Sequence, residues 1–494
     1  VSAAGVTDAR ALPAGALVLL ALGLLALAAY RLFALWLADL PLYFDEAQYW
    51  GWSRELAWGY YSKPPAIAVA ILAATSLCGD GETCVRSVGT AGYLLAAAFV
   101  YLAVARLHGA RAAAWASVVF ATLPLASFGS WAATTDAPLM LFWSAALYGF
   151  VRALESDRLG WWLAAGACGG LGLLSKYTMG VFAISVLVYL LWEPAQRGRL
   201  RSWKPWAAAA LAFALILPNL WWNARLGFPT FTHVAELSQL ERAWLQPAEF
   251  AQTVLGQLVV FGPIAGAVLF VVLYGWARGR ADPRLRLWIA FTVPMLAIVS
   301  LQALLARANL NWGAPAAVAG SAWIALVLLE AGRTRLLAAS IGLNLSLAVA
   351  LYHLAPATQA LGLPPKWDAT ARLKGWPEAG VAVRDTLARH PGARLVGYER
   401  IVIAELIYYA RPYSAGARVW NPQRRITDHY RLVADVADSP QGPFIIAMRS
   451  ESGAALARDF RDLRPLGVIE GGDCEGCRRT LHLYHAASFE GYRP

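Results

Sequence analysis

The residues of this chain that could do chemistry stand at the ends of apolar runs. "YFDEAQYW" sets Asp45 beside Glu46, and "YYSKPP" follows with Tyr61 and Lys63. Asp136 opens "DAPLMLF", and Lys176 lies in "LLSKYTM". Asn219 and Asn223 close another run, with His233 beyond them, and Arg307, Asn309 and Asn311 share "RANLNWGAP". Ionisable groups are costly in hydrocarbon, so the few present mark a working surface. Carboxylates, cations and amides thus arrive from separate runs at the same kind of position. A carboxylate there could take a proton from a nucleophile. A cation there could steady the charge on a leaving group.

Lys63 is the most telling of them. The two prolines after it favour an extended backbone at the lysine and suit the first turn of a helix. A lysine ahead of a helix N-terminus joins a cation to free backbone N–H groups, which is a phosphate-binding arrangement. The others also have plainer readings. Asp45 with Gln48 resembles a capping box. Asp136 fits an N-cap with proline just inside. Lys176 could simply snorkel to an interface, and Asn309 and Asn311 could serve turn backbone. Trp50, Trp52 and Trp58 read most simply as interfacial anchors.

The elements that position these residues follow from hydropathy. The chain has 494 residues, 59% hydrophobic and 15% charged, with a mean hydropathy of +0.48. Apolar runs near 13–37, 86–106, 112–129, 136–153, 160–175, 177–192, 206–222, 252–276, 286–305, 312–330 and 335–352 predict a polytopic α-helical membrane protein of about eleven transmembrane helices. The first run lacks the pattern of a cleaved signal peptide and reads as a retained helix. The net charge of +11 does not imply nucleic acid. Its arginines crowd into short connections such as "RLHGAR", "RALESDR" and "EPAQRGRLRSWK", which set orientation by facing the cytoplasm. The same rule splits 161–192 into two helices turning at Ser175-Lys176-Tyr177. It also places the candidate residues on the outer side. Pro65–Leu77 is too short to span and reads as interfacial.

Composition changes near residue 355. "ARLKGWPEAGVAVRDTLARHPGARLVGYER" reads as helix, turn and strand, and "GPFIIAMRS" and "RRTLHLYHA" as further strands. The expected organisation is a membrane domain over 1–354, with a first outer loop over 38–85, and a soluble α/β domain over 355–494. Cys78 with Cys84, and Cys474 with Cys477, could each form a disulfide in an oxidising compartment. "CEGC" with His482 and His485 leaves a zinc knuckle as the alternative for the second pair. Cys168 reads as a free core thiol.

Location narrows the chemistry. An outer face has no nucleotide pool, so an activated donor must arrive on a lipid. A polyprenyl phosphate carries its phosphate at the membrane surface and its tail in the bilayer. The residues thus suit glycosyl transfer from such a carrier. "YFDEAQYW", "YYSKPP", "TTDAPL", "LLSKYTM", "LPNLWWNARLGFPTFTH" and "RANLNWGAP", in that order, resemble the glycosyltransferase family 39 or aminoarabinose-transferase-like group, which has the GT-C membrane fold. The resemblance implies an inverting, metal-independent transferase needing no cofactor and working at the periplasmic face of the bacterial inner membrane. It implies Asp45 as base, Lys63 as phosphate ligand and Asp136 as a second acid, with Glu46 beside them. Arg307 and Lys176 would assist the leaving phosphate. Tyr61, Asn219, Asn223, His233, Asn309, Asn311, Glu399, Arg400 and Tyr408 are candidate substrate contacts, and Tyr409, Arg425 and His429 stand near them in the outer domain. The expected partners are a polyprenyl-phosphate sugar, an envelope glycolipid or glycan acceptor such as lipid A, and membrane lipids. A protein O-glycosyltransferase of this fold, or a flippase for lipid-linked glycans, is the alternative.

Overall fold

A computed structural model describes residues 13–239, 244–361, 368, 370–474 and 476–493. In chain order, the first helices are α1 (Ala14–Ala38), α2 (Phe44–Arg54), α3 (Ala66–Cys78), α4 (Glu82–Thr122), α5 (Pro124–Gly129), α6 (Asp136–Ser156), α7 (Leu159–Leu173), α8 (Gly180–Trp192) and α9 (Trp203–Arg225). They continue as α10 (Pro229–Ser238), α11 (Pro247–Leu255), α12 (Gln257–Val260), α13 (Pro263–Ala277), α14 (Arg286–Leu305), α15 (Ala316–Glu330) and α16 (Thr334–Ala360). Among the described residues, six helices are long and apolar enough to cross a membrane, on length and composition. The chain divides into two compact units. One holds residues 1–34, 63–70 and 86–352; the other holds 35–62, 71–85 and 353–494.

In the first unit, α4 is a helical hairpin. The chain reverses at Gly109, whose φ of 81° is open to glycine at little cost. Ser117 then donates to the Ala97 carbonyl at 2.7 Å, and the Tyr93 and Phe120 rings lie 6.3 Å apart. The two-helix expectation for 161–192 also holds. Gly166 lies against Ala208 and Gly170 against Leu215, so α7 and α9 run parallel. Trp143 meets Phe182 and Phe150 meets Tyr189, so α6 and α8 run parallel too. The chain therefore turns back between α7 and α8, at the extended residue Lys176. Two other runs differ from the expectation. The 252–276 run is three helices, broken at Gly262-Pro263, and the 112–129 run is interrupted ahead of Pro124. Proline lacks the N–H that a continuing helix would use.

The arginine-rich connections gather at one end of this unit. There Asp157 takes Arg199 and Lys204, Glu155 takes Arg106, and Glu193 takes Arg286. The first residue of α6, the α7–α8 turn, the last turn of α9 and the turn before α15 lie at the other end. α1 is largely exposed, as a lipid-facing helix would be. Its buried Arg31 is the exception. It donates to the hydroxyls of Ser130 at 3.0 Å and Ser127 at 3.2 Å and to the Ala121 carbonyl at 2.6 Å. It thereby ties down the segment leading to Asp136.

The second unit is built on a six-stranded sheet. Its elements are α17 (Trp376–Arg389), β1 (Arg394–Gly397), α18 (Arg400–Tyr409), β2 (Arg418–Val419), α19 (His429–Val433), β3 (Gln441–Met448), α20 (Gly453–Asp459), β4 (Phe460–Arg461), β5 (Arg464–Gly471) and β6 (Arg479–Phe489). The order is β2-β1-β3-β6-β4, with β5 also on β6. β1 runs parallel to β2 and β3, and β6 antiparallel to its three neighbours. Alternation along β3 fills both faces. Ile445 and Ala447 pack with α17 and α18, while Phe444, Ile446 and Met448 pack with Trp420 and Phe460.

α2 belongs to this unit although it lies some three hundred residues upstream of the sheet. Phe44 packs into the α17–α18 core. The Leu42 N–H donates to the Tyr409 hydroxyl at 2.8 Å, and the Trp50 ring meets Tyr408 edge-on at 5.0 Å. The Tyr408 hydroxyl donates to the Asp80 carbonyl, and Asp80 accepts from Trp50 Nε1 at 2.8 Å and from Arg54 at 2.7 Å. Cys78 and Cys84 close the short loop carrying Asp80 as a disulfide, and Cys474 and Cys477 also pair.

Candidate active site

The candidate residues form one cluster in each unit. In the helical unit, Asp136 is the centre. It is the first residue of α6 rather than its cap, because Thr135 holds the cap position. One carboxylate oxygen accepts from Lys176 Nζ at 2.7 Å and the other from Asn311 Nδ2 at 2.8 Å. Residues from α6, the α7–α8 turn and the turn before α15 thus meet on one buried carboxylate. Lys63 enters the same neighbourhood through the backbone. The Ala66 N–H, at the start of α3, donates to the Leu174 carbonyl at 3.0 Å. That bond sits three residues from Lys63 and two from Lys176.

The arrangement is suited to an anion. Lys176 is charge-balanced by Asp136, and Lys63 adds a cation ahead of a helix N-terminus. Arg307 is exposed on the turn that carries Asn311, as Asn309 is. The α9 asparagines do a different job. Asn219 and Asn223 are fully buried. The Tyr177 hydroxyl donates to Asn219 Oδ1 at 2.7 Å, and Asn223 Oδ1 accepts from the Thr230 N–H at 3.2 Å. They join the α7–α8 turn to the end of α9, which fixes where Lys176 stands. His233 is half-buried on α10.

In the second unit, Asp45 meets Arg400. The two side chains form an ion pair, each about one-third exposed, and Arg400 Nε also donates to Gln48 Oε1 at 2.7 Å. This corrects the capping reading of Asp45. Tyr43 is the N-cap, and Glu46 closes the turn by accepting from the Tyr43 N–H at 2.8 Å. Glu46 is occupied with the helix start, which leaves the Asp45 carboxylate facing a guanidinium. The guanidinium also lies 5.0 Å from the Phe44 ring centroid. Glu399 is the N-cap residue of α18. Tyr61 is buried, and its N–H points to His429 Nδ1 at 3.5 Å. His429 packs edge-on against Trp52 and Tyr60. Burial holds its pKa down at about 3, so the ring is uncharged near neutral pH.

Three participants escaped the sequence reading. Gln48 stood in view within "DEAQ" as a helix-start residue, but its partnership with Arg400 spans 352 positions. Asp80 looked like one acid in a polar loop. Arg31 was hidden inside a spanning run, although a lone arginine in such a run is itself a signal.

Comparison with known proteins adds findings of three kinds. The family model for dolichyl-phosphate-mannose-protein mannosyltransferases matches residues 62–222, a stretch that includes Lys63, Asp136, Lys176 and Asn219. The chain is 30% identical over 399 residues to the lipid A galacturonosyltransferase RgtD of Rhizobium johnstonii, covering 79% of this chain and 83% of that protein. It is 29% identical to the lipopolysaccharide core galacturonosyltransferase RgtA of the same organism over 48% of each. Among solved structures, ArnT of Cupriavidus metallidurans bound to undecaprenyl phosphate superposes with a TM-score of 0.63 at 18% identity, over 95% of this chain and 98% of that one. Its apo form gives 0.64 over 93% and 97%. At that identity the likeness is one of fold.

Proposed function

This chain belongs to the ArnT-like GT-C glycosyltransferases, and from that footing we propose that it transfers a sugar, with inversion, from a polyprenyl-phosphate carrier to lipid A or a related envelope glycolipid. The names of its relatives favour galacturonic acid as the sugar. The arginine-rich end of the helical unit faces the cytoplasm, and the Asp136 end and the sheet unit face the periplasm of a bacterial inner membrane.

The observation that supports the site assignment is the meeting of Lys176 and Asn311 on Asp136 at the end of the helical unit away from the basic connections, where the backbone three residues beyond Lys63 bonds to the Leu174 carbonyl. Lys63 and Lys176 hold the carrier phosphate, and Arg307 adds charge at the rim. The acceptor oxygen attacks C1 of the sugar while the C1–O bond to the carrier phosphate breaks. The bonding pair leaves on the phosphate, where the lysines steady it. Asp45 takes the acceptor proton when the acceptor is a hydroxyl, and Arg400 with Gln48 holds its carboxylate in one orientation. An acceptor phosphate is already anionic, and Asp45 then orients rather than deprotonates.

The test is transfer in proteoliposomes from a polyprenyl-phosphate sugar to lipid A. Asp45→Asn is expected to reduce kcat at least a hundredfold with an unchanged melting temperature. Lys63→Ala is expected to raise the donor KM about ten- to hundredfold, the loss of one charge-assisted contact of roughly 1.5–3 kcal/mol. Wild-type rates in both variants would sink the assignment. Transfer to a protein serine instead of the glycolipid would move the reading to O-glycosylation.

A further inference from the structure

A cavity of about 570 Å³ lies wholly within the sheet unit, between the second half of α2 and the 407–434 segment. Its size falls in the range of roughly 300–1,000 Å³ typical of small-molecule sites. Trp50 and Trp52 give it an apolar wall, and Arg54, Arg411 and Arg418 line it. Its carboxylates are Glu55 and Asp80, of which Asp80 is already paired with Arg54 at 2.7 Å.

Arg411 and Arg418 differ from Arg54, because neither has a carboxylate in ion-pair range among the described residues. Arg411 donates to the Tyr408 carbonyl, and its guanidinium stands 4.0 Å from the Tyr408 ring centroid and 5.4 Å from that of Trp50. Aromatic faces thus hold this cation in one place without neutralising it. Among the described residues, the Arg418 side chain donates only a long 3.4 Å bond to the Ser439 hydroxyl. Two further lining residues, Trp52 and Tyr430, carry a buried Nε1 and a buried hydroxyl with no hydrogen-bond partner among the described residues. His429 contributes an uncharged ring, which leaves the arginines to set the charge preference.

We propose that this cavity seats the anionic saccharide head of the acceptor. Arg411 and Arg418 take phosphate or carboxylate oxygens, the tryptophans pack against the sugar's C–H faces, and Glu55 accepts from ring hydroxyls. The proposal rests on the glycolipid-acceptor reading above and extends it to a specific recognition surface. α2 supplies the link to the chemistry. Asp45 stands in its first turn and Trp52 seven residues later, about 10 Å along the axis. An acceptor anchored in the cavity therefore presents its neighbouring sugar atoms to the Asp45 end of the same helix.

The experiment is equilibrium binding to the full chain in nanodiscs, with three probes: lipid A, enzymatically dephosphorylated lipid A, and a carboxylate-bearing core oligosaccharide. Arg411→Gln/Arg418→Gln is expected to weaken the lipid A Kd at least tenfold while leaving the Kd for polyprenyl phosphate unchanged. Arg418→Gln alone, which gives up only the 3.4 Å bond, is expected to weaken lipid A binding several-fold and guards against misfolding of the double variant. Loss of wild-type binding on dephosphorylation would identify phosphate as the recognised group. Tight binding of the core oligosaccharide, itself lost in the double variant, would identify carboxylate. Equal binding of lipid A by wild type and variants, or equal loss of the carrier, would overturn the proposal. If the wild type binds lipid A through these arginines yet transfers no sugar to it, the transferase reading fails while the binding site stands.

Discussion

Asp136 and Lys176 illustrate how a residue can be structural and chemical at once. Their pair is mostly buried, with side-chain exposures of 8% and 14%. Removing one partner of such a pair strands the other charge, at a cost of about 3–5 kcal/mol. Asp136→Asn and Lys176→Gln should therefore each lower the melting temperature, and the double variant should regain most of that loss. Activity should not return with it. A double variant that recovered both stability and transfer would reduce the pair to a scaffold. His429 supports a prediction of a different kind. Its folded pKa of about 3 lies below the ordinary value of 6.5, so the unfolded chain binds the extra proton between those pH values. Stability should then fall as pH drops from 6.5 towards 3, with a slope approaching about 1.4 kcal/mol per pH unit. His429→Gln should flatten that part of the melting-temperature profile. An unchanged slope would mean that another group carries the transition.

At the scale of elements, the start of α6 is set by close approach. A Cβ on Gly92 would stand 2.7 Å from the Ala137 carbonyl oxygen, so α4 touches the backbone one residue beyond Asp136. Any side chain there must push α6 away. Gly92→Val should cost about 1–3 kcal/mol by overpacking, seen as a lower melting temperature, and should cut transfer by more than its loss of folded protein explains. If activity per folded molecule were unchanged, the α4–α6 contact would not be what sets Asp136. The sequence disclosed much at this scale. Ionisable residues among apolar ones pointed to Asp45, Lys63, Asp136 and Lys176, and the arginine loops predicted the turn between α7 and α8. Capping could not be apportioned in the same way. Asp45, Glu46 and Gln48 are all competent near a helix start, and only the distant Arg400 decides which of them is drawn off. The break at Gly262-Pro263 was visible as residue types, yet hydropathy averaging passed over it.

At the scale of the molecule, composition revealed that a helical membrane part is followed by an α/β part, because apolar runs and alternating strands have different periods. It did not reveal that 35–62 and 71–85 share a compact unit with 353–494. That grouping rests on contacts between positions distant in the chain, such as Leu42 with Tyr409 and Asp80 with Tyr408. Residues 353–494 expressed alone should consequently lack a cooperative thermal transition, since Phe44 and the α2 contacts are missing from their core. Joining 35–85 to that fragment through a flexible linker should restore one. A sharp transition in the fragment alone would show that α2 is an accessory.

The partnership of α2 with the sheet also sets a schedule for biosynthesis. Leu42 and Tyr409 are 367 residues apart. At about 5–20 residues per second, α2 leaves the ribosome roughly 20 to 70 s before its partner exists. For that interval its Tyr49, Trp50 and Trp52 have no protein core to enter, and the headgroup region of the bilayer is where such side chains rest comfortably. The aromatic character that later frames Asp45 would thus first serve the nascent chain, parking the helix at the membrane surface until the sheet emerges.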